Sequence, residues 1–138
     1  MVWQDFNQKV FRFAVLKHVR QTDIHWDLLL QLPDRPLLAT WQIRLEPGRW
    51  EHEFQPIPAF ELPDHRLMYL DFQGEISGDR GHVAHIDGGT MEIVRGEENF
   101  IDCRLQGQLL HGWLKLMRST DQSPSSAKQW QLTFNSRV

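Results

Sequence analysis

The chain has 138 residues, a formal charge of −3 and 41% hydrophobic residues, among them six tryptophans. A chain of that length buries a core without covalent staples and falls within the range of one domain, so residues 1–138 read as a single unit and not as a disordered tail. The lone Cys103 excludes an intrachain disulfide framework and a cysteine-based zinc finger, and the acidic balance gives no global basic footprint.

In chain order, Val10 to Leu16 reads as a strand, followed by Ile24 to Gln31, which the turn Leu32-Pro33-Asp34-Arg35-Pro36 closes. Leu37 to Leu45 is a third strand, ended by Glu46-Pro47-Gly48, and Trp50 to Phe60 has room for one turn of helix. Leu67 to Phe72 and Gly74 to Ile76 are short extended pieces. Gly81 to Ile86 leads into Asp87-Gly88-Gly89, a hairpin-type turn signal, and on to Met91 to Val94. Phe100 to Leu105, Leu109 to Met117 and Trp130 to Phe134 complete the set, with a turn at Gln106-Gly107-Gln108. Ser119 to Ser126 is polar, contains a proline and is expected to be a mobile loop. No long window carries helical periodicity. The expected fold is all-β: a compact antiparallel β-barrel of about eight strands with little helix. No apolar run approaches the roughly 20 residues of a membrane span, and Met1-Val2-Trp3-Gln4-Asp5 has no signal-like character, so a cytoplasmic setting is the default.

The step His25-x-Asp27 carries the most chemistry. Alternate side chains of a strand share a face, so an imidazole and a carboxylate project side by side. A turn between the strands brings His18 to the same place. Two nitrogens and one oxygen on a stiff surface suit a catalytic Mn²⁺ or Zn²⁺. The alternative is a pair of ordinary strand histidines with hydrogen-bonded rings, although a buried, unpartnered Asp27 is costly and asks for a cation. A rival set is His82, His85 and Asp87, against which stands the turn signal at Asp87. Glu51-His52-Glu53 reads as a solvated face, and Asp64 as a residue that fixes a turn or orients His65. Trp26, Leu28 and Leu30 are expected to fill the core opposite the site. Trp41, Trp113 and Trp130 read as core anchors and Cys103 as a small buried hydrophobe.

Seven motifs follow in order: Lys17-His18; His25-Trp26-Asp27; Thr40-Trp41; Asp64-His65-Arg66-Leu67-Met68-Tyr69; Phe72-Gln73-Gly74-Glu75-Ile76; Ile86-Asp87-Gly88-Gly89; and Gly112-Trp113-Leu114-Lys115-Leu116-Met117-Arg118. In this the chain resembles the 3′-phosphoesterase domain of bacterial ATP-dependent DNA ligase D, which also occurs as a free-standing protein. The resemblance runs from about Phe11 to Phe134, almost the whole chain. It implies a β-barrel that binds a divalent metal, preferably Mn²⁺, with Zn²⁺ and Co²⁺ as alternatives, through His18, His25 and Asp27. It implies removal of a 3′-phosphate or 3′-ribonucleotide from DNA or RNA/DNA primer–template ends, leaving a 3′-hydroxyl in DNA repair. His65 and Tyr69 take the roles of binding or activating the phosphate. A separate DNA ligase or polymerase is the implied protein partner, and no membrane is involved.

The chain departs from the family pattern at several positions. The arginine expected two residues after the aspartate is Leu29, which cannot clamp phosphate, and His18 precedes His25 by one residue more than usual. The segment Gly-x-Tyr-Gly becomes Gly78-Asp79-Arg80-Gly81. Arg44, Arg80 and Arg118, with Lys17, are the candidate replacements for the phosphate contact. Two further readings stay open beside the enzyme: a catalytically impaired, metal-containing module that binds nucleic-acid ends, and a metalloenzyme acting on a soluble phosphate ester.

Overall fold

The computed structural model describes residues 10–120 and 128–136, and among these short apolar–polar alternations separated by turn residues give nine strands. In chain order these are β1 Phe11–Arg20, β2 Asp23–Gln31, β3 Leu38–Ile43, β4 Ile57–His65, β5 Gly74–Glu75, β6 His82–Glu97, β7 Phe100–Gln106, β8 His111–Arg118 and β9 Gln129–Ser136. The neighbours run β1-β2-β3-β4-β9-β8-β7-β6-β5, and β1 also pairs with β6. Eight strands therefore close into an antiparallel ring, with β5 added to the first part of β6. Two short 3₁₀ helices, Pro47–His52 and Leu67–Leu70, are the helical content of the described residues. The all-β expectation holds. None of the described helices is long and apolar enough to cross a membrane.

The ring encloses one face of every main strand. Phe11, Phe13 and Val15 of β1 and Leu28 and Leu30 of β2 are buried with Trp41, Leu114, Leu132 and Trp130 in the main core, and Trp26 packs partly against it. Trp41 and Trp130 meet edge to face at 5.4 Å between ring centres. Cys103 is fully buried, as expected of a small hydrophobe. Trp113 differs. It is only half-buried, and the Arg104 guanidinium lies over its ring at 4.4 Å.

A second apolar layer grows on the outside of β1 and β2. Ala14, Leu16 and Leu29 alternate with the main-core residues and pack against Leu38, Leu70 and Val83, with Tyr69, Phe72 and Ile76 at the margin. The segment from Leu67 to Ile76 thus covers the outer face of two strands whose inner face already fills the ring. Arg12 ties this cover down through a two-pronged ion pair with Asp71.

Three local expectations change. Trp50 to Phe60 holds a helical turn, but it begins earlier, at Pro47, and its later part opens β4. Pro58 and Pro63 obscure that strand in sequence. In the sheet, Pro58 faces only β9, and Pro63 falls at the bulge between β3 and β4. Leu67–Leu70 is a 3₁₀ helix and not extended. Asp87-Gly88-Gly89 is no turn: β6 continues through it after a register shift at Ile86, and a Cβ on Gly89 would lie 2.1 Å from the Gln106 carbonyl oxygen. Here glycine serves close backbone approach. Most of the expected loop Ser119–Ser126 lies outside the described residues.

Candidate metal centre

β1 and β2 form a hairpin through Gln21 and Thr22, Gln21 taking a left-handed φ of 55°. His18 and His25 end as direct cross-strand partners. Asp27 pairs with Leu16 one step further along. Alternation then places His18, His25 and Asp27 on the outer face, next to Leu16 and Leu29 of the second layer. One nitrogen from each histidine and a carboxylate oxygen of Asp27 all lie within 4.8 Å of one another. Among the described residues this is the group that can hold a metal ion.

The hydrogen bonds around the group define which ring atoms face inward. His18 Nε2 lies 2.7 Å from the Arg80 carbonyl oxygen, which only accepts, so Nε2 carries the proton. His25 Nδ1 lies 3.3 Å from Asp23 Oδ2 and donates in the same way. In their neutral forms the rings therefore present His18 Nδ1 and His25 Nε2, 3.1 Å apart, as lone pairs to each other. Asp27 Oδ1, 3.2 Å from His25 Nε2, is buried and accepts no aligned hydrogen bond. Three electron-rich atoms converge with no donor among them. A divalent cation satisfies all three at once; in the metal-free chain a proton on His25 Nε2 is the alternative donor.

The Arg80 carbonyl reaches His18 because the turn Ser77–Gly81 lies against the end of β1. Gly81 has φ of 90°, and a Cβ there would come within 2.1 Å of the Val19 carbonyl oxygen. Within the turn, the Arg80 guanidinium donates to the Ser77 carbonyl at 2.6 Å and to its hydroxyl at 3.2 Å.

A cavity of about 270 Å³ opens beside the centre, walled by His18, Asp27, Asp64, His65, Arg66, Tyr69 and Arg80 over an apolar floor of Leu16, Ile76 and Val83. His65 closes β4, opposite Leu38 in the β3–β4 pairing. Its Nδ1 donates to the Pro63 carbonyl at 2.9 Å, leaving Nε2 for exchange with another group. The Tyr69 ring packs edge-on to it at 5.7 Å. Asp64 is paired with Arg35 at 3.3 Å.

The expected phosphate contacts distribute unevenly. Arg80 lines the cavity. Arg44 instead donates to Asp23. Arg118 lines a separate recess with Lys128, sharing only Asp64 with the cavity. Lys17 alternates away from His18 and sits opposite Trp26. Leu29, where the family pattern has arginine, is completely buried in the second layer. The rival set at His82, His85 and Asp87 dissolves, because Asp87 accepts three backbone N–H groups, from Gln108, Leu109 and Leu110, at 2.9, 3.2 and 2.7 Å. Two contributors escaped the sequence reading. Arg66 stands in the cavity wall between His65 and Tyr69, inside a motif already singled out. Asp23 repeats the alternation rule two residues before His25.

Comparison with known families accords with this geometry. The model of the DNA ligase D 3′-phosphoesterase domain matches residues 16–118. The chain belongs to that family. No curated protein matches it.

Proposed function

We propose that this chain is a divalent-metal-dependent phosphoesterase that processes nucleic-acid 3′ ends in DNA repair, removing a 3′-phosphate or a 3′-ribonucleotide to leave a 3′-hydroxyl. The observation that carries the reading is the convergence of His18 Nδ1, His25 Nε2 and the orphaned Asp27 Oδ1 at the edge of a cavity that also holds His65 and Tyr69. His18, His25 and Asp27 would hold the metal, with Mn²⁺ the first choice and Zn²⁺ or Co²⁺ compatible with the same donors. When bound, such an ion supplies Lewis-acid neutralisation of phosphate charge.

The remaining work falls to the chain's own groups. His65, with Nδ1 committed to Pro63, has Nε2 to hold or deliver a proton at the leaving oxygen. The Tyr69 hydroxyl donates to a phosphate oxygen. Arg66 is the cation this wall offers near those two residues, in the absence of an arginine at Leu29. Leu16, Ile76 and Val83 make the apolar part of the cavity wall. The partners of this reading are DNA or RNA/DNA primer–template ends and, through them, a separate ligase or polymerase.

His65→Ala tests the assignment of roles. It is expected to retain the metal affinity of the wild type and to lose about 10²- to 10⁴-fold in turnover, the usual contribution of a positioned proton donor. Undiminished turnover in His65→Ala would remove it from the chemistry. The second reading, an end-binding module, is favoured only by Leu29, whose burial leaves the family arginine without a counterpart on that strand.

A further inference from the structure

Arg44 looks in sequence like a phosphate contact, but its surroundings give it a different task. It follows the end of β3, where Ile43 pairs with Trp26, and this puts it beside the start of β2. Its Nη1 donates to Asp23 Oδ1 at 2.5 Å and to the Ile24 carbonyl at 3.2 Å. The other oxygen of the same carboxylate, Asp23 Oδ2, receives the Nδ1 proton of His25. One carboxylate thus joins a guanidinium on one side to an imidazole on the other. Arg44 is not among the residues that line the cavity.

We propose that Asp23 and Arg44 are positioning residues of the metal centre: Asp23 fixes the Nδ1–H form and ring orientation of His25 so that Nε2 faces Asp27, and Arg44 holds Asp23 in place. This rests on the metal-centre reading of His18, His25 and Asp27. The physical reason is general. A metal-binding imidazole that donates its other N–H to a carboxylate keeps one tautomer and is the better donor for it. Asp23 is half exposed, and its ion pair with Arg44, itself anchored on the Ile24 carbonyl, restrains its rotamer.

Calorimetric titration of the full chain with MnCl₂, without nucleic acid, tests this on wild type, Asp23→Ala, Arg44→Ala and Arg44→Lys. Asp23→Ala is expected to weaken Mn²⁺ binding about 10- to 100-fold, the usual effect of losing such a partner. Arg44→Ala should weaken it less and Arg44→Lys recover part of the loss. The ¹⁵N ring shifts of His25 in metal-free protein, at a pH where the ring is neutral, should report a single Nδ1–H tautomer in wild type and tautomer averaging in Asp23→Ala, a change that a role in folding alone would not produce. Unchanged Mn²⁺ affinity in both alanine variants, with a raised KM for a 3′-phosphate end in Arg44→Ala, would return Arg44 to the phosphate and overturn the proposal. A wild type that takes up no Mn²⁺ would overturn the metal-centre reading itself, and this inference with it.

Discussion

His25 is pulled two ways by its surroundings. Burial disfavours the charged ring, but the carboxylates of Asp27 and Asp23 outweigh that effect and hold its pKa above the ordinary histidine value. In the metal-free chain a proton on His25 therefore adds stability that is fully present below the unfolded pKa of about 6.5 and is lost as pH rises through the higher folded value. A metal ion competes for the same atom. Thermal unfolding with and without Mn²⁺ across this interval should show the gain from metal growing as pH rises; a gain that shrinks with rising pH would contradict the assignment of Nε2 as a ligand atom. The pair His25-x-Asp27 was legible because period-two alternation is the strongest rule a strand obeys. The use of Asp23 was equally open to that rule and was hidden only by its position at the turn.

At the level of elements, β1 and β2 are loaded on both faces. Phe13, Val15, Leu28 and Leu30 fill the ring, while Ala14, Leu16 and Leu29 support the cover made by Leu67 to Ile76. That cover brings Tyr69 to His65 and to the cavity. Leu29→Ala should accordingly cost about 2–5 kcal/mol in urea unfolding, as for other fully buried leucines, and reduce turnover by loosening Tyr69. A cost within error of zero would mean that the cover does not depend on the second layer. Most strands of the ring were legible from alternation and flanking turns. β4 was not, because its prolines are ordinarily breakers and only tertiary pairing shows that one faces a single partner and the other a bulge. Asp87-Gly88-Gly89 misled for a related reason: the same residues that make a hairpin turn also let a strand pass close to another backbone, and the Asp87 carboxylate is spent on the Gln108–Leu110 amides.

For the whole molecule, closure of β1 onto β6 removes the open edge and makes a stiff wall. The group His18, His25 and Asp27 is mounted outside that wall, beside a cavity completed by chain segments far apart in sequence: the end of β4, the cover, and the turn before β6. The ordered motifs pointed to this assembly, but spacing alone could not show which arginines face the phosphate. Two of the four cationic candidates, Lys17 and Arg44, point elsewhere, and Arg118 lies in a neighbouring recess. The overall charge is −3, and the cations that line the cavity are Arg66 and Arg80, so under the proposed function a phosphate end would meet its positive field there and at the metal. The most direct measurement is Mn²⁺-dependent cleavage of an end-labelled primer–template carrying a 3′-phosphate or a single 3′-ribonucleotide, with wild type and Asp27→Ala run side by side. The account predicts a 3′-hydroxyl product from the wild type and none from Asp27→Ala. Equal turnover by the two proteins, or a metal-loaded wild type that binds the end and leaves it intact, would contradict it.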